Sequence, residues 1–82
     1  MKEEYVDNNT LKASLTYIMQ GGDKWFRVRT LTNTVNSRLT REINPRKLSR
    51  SITLMLNNMI ANGHVIRIKK GEVYLYKWKR ED

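Results

Sequence analysis

The chain has no cysteine, one proline, one histidine and four glycines among its 82 residues. Without cysteine no disulfide can form, and His64 alone cannot supply the usual zinc ligand sets. No apolar run approaches the roughly 18 residues that span a bilayer, so we expect no membrane partner. The opening MKEEYVDNNT is polar and acidic, which does not match a signal peptide. We expect a soluble, intracellular protein that forms one domain over 1–82, with flexible ends at 1–9 and 79–82.

Acidic residues are also scarce away from the two ends. The chain holds 16 Lys and Arg against 8 Asp and Glu, and five of those eight acids lie in its first seven or last two residues. Residues 8–80 carry 15 cations and three acids, a balance of +12 (15 minus 3). The natural counterpart of so basic a body is a polyanion, most commonly nucleic acid.

The residues needed for catalysis are missing or dispersed. The three acids of the body, at positions 23, 42 and 72, have no paired-carboxylate spacing. The glycine pair at 21 and 22 matches neither phosphate-loop fingerprint, and no acid is evident that could orient His64 toward a serine. We predict a protein without enzymatic activity, cofactor, metal or small-molecule ligand.

Three helices are predicted by apolar spacing and by local start and stop signals. The first covers about 10–20, capped by Asn9 or Thr10 and ended by a left-handed glycine at 21 or 22. The second covers 31–41 after an N-cap at Thr30. The third, the best marked, covers 45–62; Asn44 is its N-cap, Pro45 takes the first helical position, and Asn62-Gly63 ends it.

Strand-forming residues complete an α+β fold. The segments HVIRI and VYLYKW predict a hairpin, and KWFRVRT before the second helix predicts a short third strand. A turn centred on Lys70-Gly71 would set Ile68 opposite Val73 and Val65 opposite Tyr76. Both faces of this hairpin are partly apolar, so the pattern leaves open which one is buried.

The second and third helices are joined by about three residues, which is helix-turn-helix spacing. At 100° per residue, the side of the third helix opposite its apolar stripe carries Arg46, Arg50, Thr53 and Asn57, flanked by Lys47 and Leu54. Arginine can pair with guanine, asparagine with adenine, and threonine can touch a thymine methyl. No acid occurs between Glu42 and Glu72, so this helix lacks the mixed charges of an ordinary solvated face. We predict that this face contacts DNA bases.

Further cations could contact the DNA backbone. Within the hairpin these are Arg67, Lys69 and Lys70. Elsewhere they are Arg27, Arg29, Arg38 and Arg41, with the Thr30 hydroxyl beside Arg29. The alternative for the hairpin lysines is that they only discourage edge-to-edge aggregation.

Four segments carry a family resemblance: FRVRTL, NPRKLSRSI, NNMIANGHVIRI and KKGEVYLY. From Leu11 to Trp78 the chain resembles a winged helix-turn-helix DNA-binding domain, as in small stand-alone transcriptional regulators of viruses, plasmids or archaea. The resemblance implies that the third helix reads DNA and that the hairpin is a wing. It adds Ser49 to the base-contacting set, beside Arg46, Lys47, Arg50 and Thr53. The second helix lacks the small residue often found midway in this family.

The predicted function is sequence-specific binding of double-stranded DNA in transcriptional regulation. Two alternatives stay open. One is architectural or replication-associated binding without sequence preference. The other is a protein-interaction module, anchored by the aromatic residues Trp25, Tyr74, Tyr76 and Trp78. A homodimer through the first helix or the last strand would let the protein read two half-sites.

Overall fold

A computed structural model describes residues 7–21, 24–39 and 43–79 of the chain. Three helices are followed by an antiparallel hairpin, which confirms the predicted α+β class. The elements are α1 (Asn8–Gln20), α2 (Val28–Arg38), α3 (Pro45–Ala61), β1 (Val65–Lys70) and β2 (Val73–Trp78).

Helix α1 begins earlier than predicted. Its N-cap is Asp7, whose carboxylate accepts a hydrogen bond from the Thr10 amide at 3.2 Å. The prediction of Asn9 or Thr10 as the cap was therefore wrong, because an acidic residue just upstream takes that position. Asn8 and Asn9 belong to the helix, although the sequence predicted that both would be flexible.

Glycine ends α3 in the predicted way, and for α1 the structure describes one of the two candidate glycines. Gly63, just after α3, has a φ of +81°, the left-handed conformation that glycine adopts without steric cost. Gly21, which caps α1, has a φ of −75° and is right-handed, so the left-handed cap predicted there does not occur at Gly21. Gly22 lies outside the described residues.

Helix α2 differs most from its prediction. It begins at Val28, three residues early, and Arg27 caps it without a side-chain hydrogen bond; Thr30 is therefore not the N-cap but lies inside the first turn. The predicted third strand is reduced to Phe26, which forms a single-residue bridge with Tyr76 through hydrogen bonds of 2.7 and 2.8 Å. Leu39 is extended and ends the helix.

Helix α3 follows its prediction closely. The Asn44 side chain accepts hydrogen bonds from the amides of Arg46 and Lys47 at 2.9 and 3.3 Å. Pro45 occupies the first turn, where its missing N–H costs nothing. The helix ends at Ala61, one residue before the predicted end, with Asn62 as its C-cap.

The hairpin register is shifted by two residues from the predicted one. Lys70 pairs with Val73, Ile68 with Leu75 and Val65 with Trp78. The turn therefore consists of two residues, and its glycine, Gly71, has a φ of +65°, as a tight primed turn requires at its first central position. Because side chains alternate with a period of two, a shift of two residues keeps each one on its predicted face.

The core lies between the three helices and one face of the hairpin. Within the described part of the chain its buried apolar residues are Leu11, Leu15, Met19, Leu31, Val35, Ile43, Leu48, Ile52, Leu56, Met59, Val65 and Tyr76. Val65 and Tyr76 identify the buried side of the hairpin, the question that the sequence left open. Ile66 and Ile68, on the other side, are 39% and 42% exposed. No helix in the described ranges is long and apolar enough to cross a membrane.

Candidate nucleic-acid interface

The outward face of α3 carries the polar residues that the helical spacing predicted. Arg46, Arg50 and Asn57 are exposed, and Thr53 is half-buried beside them. Their orientation follows from the opposite side of the helix, where Leu48, Ile52, Leu56 and Met59 are buried against the other elements. The core therefore fixes the rotation of α3 and directs these polar side chains to solvent.

Ser49 has a different environment from the other predicted base contacts. Its hydroxyl lies 2.8 Å from the hydroxyl of Thr32 on α2, and its carbonyl accepts a hydrogen bond from Thr53 at 2.9 Å. Thr32 is itself buried and also donates to the Val28 carbonyl at 2.8 Å. The structure therefore places Ser49 at the contact between α2 and α3, apart from the outward face.

The connection between α2 and α3 is also held by side-chain hydrogen bonds. The Asn36 amide group donates to the Ile43 carbonyl, and its oxygen accepts from the Ile43 amide, both at 3.0 Å. Such a reciprocal pair fixes Ile43 against α2 just before the Asn44 cap starts α3. Arg41, a predicted backbone contact, falls in this connection but lies outside the described residues.

The hairpin extends the cationic surface of α3. A guanidinium nitrogen of Arg67 donates to the side-chain oxygen of Asn57 at 3.4 Å. The same guanidinium lies 4.8 Å from the ring centre of Tyr74, and the Lys69 ammonium lies 5.7 Å from it, within the range of cation–π attraction. The side of β1 that carries Arg67 and Lys69 therefore continues the surface that α3 begins.

A groove of about 380 Å³ separates the start of α2 from the hairpin. Arg27, Arg29 and Thr53 line it together with Tyr74, and Glu72 adds one negative charge. The first amide groups of a helix have no partner within the helix, and they favour anions. Two arginines beside such a helix start provide a setting suited to a phosphate group.

The remaining predicted DNA contacts do not all lie on the surface around α3. Lys47 and Lys70 are exposed, at the start of α3 and at the hairpin turn, and Thr30 is exposed in the first turn of α2. Arg38 instead points toward α1, where its guanidinium lies 4.5 Å from the ring centre of Tyr17. The structure thus gathers most of the predicted cations around α3 and sends Arg38 to another surface.

Two features next to α3 were not predicted as functional. Leu54 is 65% exposed among the polar residues of the outward face. Its position beside Arg50 on the helical projection was the sequence feature that indicated this exposure. A cleft of about 300 Å³ also runs between α3 and the start of α1, where Lys12 and Asn9 line it. This cleft could not be predicted from the sequence, because it forms only where α1 packs against α3.

The described residues contain no group of three or more His, Cys, Asp or Glu side chains that could hold a metal ion. His64 stacks on Trp78, with the two ring centres 5.8 Å apart and the planes within 7° of parallel. The His64 carbonyl also accepts a hydrogen bond from the Lys79 amide at 2.9 Å. Together the two contacts join the segment after α3 to the end of the hairpin.

Comparison with known proteins finds no matching family model, no matching curated protein and no matching solved structure.

Proposed function

We propose that this protein is a winged helix-turn-helix protein that binds double-stranded DNA sequence-specifically and regulates transcription. One observation carries the proposal. The outward face of α3 is polar and cationic, and the hydrogen bond between Asn57 and Arg67 makes it continuous with the cationic side of the hairpin. No acid interrupts the chain between Glu42 and Glu72.

In this proposal α3 enters the major groove. That groove is about 12 Å wide and accepts one helix of about the same diameter. Arg46 and Arg50 would pair with guanine, Asn57 with adenine, and Thr53 and Leu54 would contact thymine methyl groups. Lys47, in the first turn, would reach a base edge or the flanking phosphate. The hydroxyl of Ser49 would position α3 rather than contact a base, because it already pairs with Thr32.

The hairpin would act as the wing and lie along the DNA backbone. Arg67, Lys69 and Lys70 would contact phosphates on one side of α3, and Arg29 would hold another at the start of α2. If about five phosphates are neutralised, the logarithm of the binding constant should fall with the logarithm of salt concentration with a slope of about −4.5.

The direct test is selection of duplexes from a random pool with the purified protein, followed by footprinting and a salt titration. A specific regulator should enrich one sequence and protect a discrete site. Enrichment of nothing, with uniform binding along DNA, would instead favour architectural binding without sequence preference. No binding to any duplex at about 100 mM salt would contradict DNA binding altogether.

Two variants test whether the position of a cation, and not total charge alone, decides its contribution to DNA binding. Lys70→Ala should weaken selected and random duplexes alike and make the salt slope shallower by about one. Arg38→Ala is the matched control, because it removes a cation whose guanidinium lies over Tyr17, and it should change neither affinity nor slope. Equal losses from both variants would mean that only total charge matters.

A further inference from the structure

The outer edge of β1 is open in the part of the chain that the structure describes. Strand β2 lies between β1 on one side and the bridge residue Phe26 on the other. No described strand pairs with the far edge of β1, so alternate backbone N–H and C=O groups of this strand face outward. An open edge of this kind is a template for another extended segment.

The two faces of β1 have different chemistry next to that edge. Arg67 and Lys69 lie on the face that Asn57 contacts, together with the buried Val65. Ile66 and Ile68 lie on the opposite face, where about two-fifths of each side chain is exposed. An added strand would therefore have cations beside its residues on one face and isoleucines beside those on the other.

Charge argues against a second copy of the chain as the occupant. Two β1 strands paired at their edges would bring Arg67, Lys69 and Lys70 of each copy together, and like charges across strands are destabilising. Each chain also carries a net charge of +8, which adds repulsion over the whole body. The same cations that oppose self-pairing would attract an acidic strand.

We propose that the open edge of β1 binds an extended segment of a partner protein in which acidic and apolar residues alternate. The backbone of the segment pairs with β1, its acids lie beside Arg67 and Lys69, and its apolar residues cover Ile66 and Ile68. Main-chain pairing supplies affinity in strand addition, and the alternate side chains supply specificity. This interaction does not require that the protein bind DNA.

The test uses the full chain and a fluorescein-labelled heptapeptide, Glu-Val-Glu-Val-Glu-Val-Glu, followed by fluorescence anisotropy. One control peptide has the same composition with its valines in one block, and another replaces every glutamate with lysine. The alternating acidic peptide should bind at least about tenfold more tightly than either control, because only it satisfies both faces at once. Amide resonances of β1 should shift on binding, and those of α1 should not.

Protein variants test the apolar half of the proposal. Ile66→Thr combined with Ile68→Thr keeps strand-forming residues and should weaken the peptide at least about tenfold. Leu54→Gln is the control, since it removes an exposed apolar side chain from α3 and should leave peptide affinity unchanged.

Three results would overturn the proposal. The first is no binding of the alternating peptide up to about 1 mM. The second is equal binding of the blocked peptide, which would mean that charge alone attracts it. The third is self-association of the chain in sedimentation that the double threonine variant abolishes, which would assign the edge to a second copy.

Discussion

The hydrogen bond between the Thr32 hydroxyl on α2 and the Ser49 hydroxyl on α3 permits a quantitative prediction. Thr32 is 2% exposed, and its hydroxyl makes two contacts of 2.8 Å, with the Val28 carbonyl and with the Ser49 hydroxyl. Thr32→Val keeps the shape of the side chain but removes both hydrogen bonds. At a net 0.5–1.5 kcal/mol for each bond, the free energy of unfolding should fall by about 1–3 kcal/mol.

That loss is large for a chain of this size. At about 0.05–0.15 kcal/mol per residue, the whole protein should be stable by roughly 4–12 kcal/mol. A loss of 1–3 kcal/mol should lower the melting temperature by about 4–24 °C. Urea titration and thermal melts followed by circular dichroism measure both quantities.

A double-mutant cycle isolates the contribution of the pair. Ser49→Ala should cost about 0.5–1 kcal/mol, because Thr32 keeps its bond to the Val28 carbonyl. The double variant should be about as stable as Thr32→Val alone, which gives a coupling energy equal in size to the cost of Ser49→Ala, about 0.5–1 kcal/mol. A cost for Thr32→Val below about 0.3 kcal/mol, with additive single effects, would refute the reasoning.

The same variant tests the assignment of Ser49. If its hydroxyl holds α3 against α2, Ser49→Ala should lower stability and leave the base preferences of the protein unchanged. Loss of discrimination at one base pair, without loss of stability, would return Ser49 to the base-contacting set.

Three further predictions concern α3 and its ends. Asn44→Ala should cost about 1 kcal/mol in urea titrations, because two helix amides lose their acceptor; an unchanged midpoint would contradict this. Gly63→Ala should lower the free energy of unfolding by about 1–2 kcal/mol, since Gly63 has a φ of +81°. Gly21→Ala is the control and should be tolerated, because Gly21 has a φ of −75°. Equal melting temperatures for the two variants would contradict backbone strain at position 63. Leu54→Gln should leave stability within about 0.5 kcal/mol but weaken the selected duplex in anisotropy titrations, and unchanged affinity would remove Leu54 from the proposed interface.

The parts of the fold that were predicted correctly are those with strong local signals. Helix α3 has an asparagine cap, a proline in its first turn and a glycine after its end, and each acts within a few residues of the boundary that it sets. The rotation of α3 also followed from sequence, because its apolar stripe is regular. The same regularity made the polar face of Arg46, Arg50 and Asn57 predictable from helical spacing alone.

The parts that were wrong depend on contacts between distant residues. Val28 favours a strand by propensity, but the chain leaves the extended conformation after Phe26 bridges Tyr76, and α2 starts with no side-chain cap. The hairpin register depended on where the two-residue turn lies: it consists of Gly71 and Glu72, one residue later than the predicted Lys70-Gly71 turn. The packing of Ser49 and Arg38 was not predicted either, because it depends on Thr32 and Tyr17, which lie 17 and 21 residues away in sequence; the DNA contacts predicted for Ser49 and Arg38 stay predictions.

Base readout by α3 is tested most directly with Arg50→Ala on the selected duplex and on its single-base-pair variants, at one fixed salt concentration. The unaltered protein should prefer the selected duplex over random DNA by about 1,000-fold or more. Arg50→Ala should lose about 1–3 kcal/mol of discrimination at one base pair and keep its preferences elsewhere. A uniform loss at every position, or an unaltered protein that does not distinguish selected from random DNA, would contradict base readout by α3.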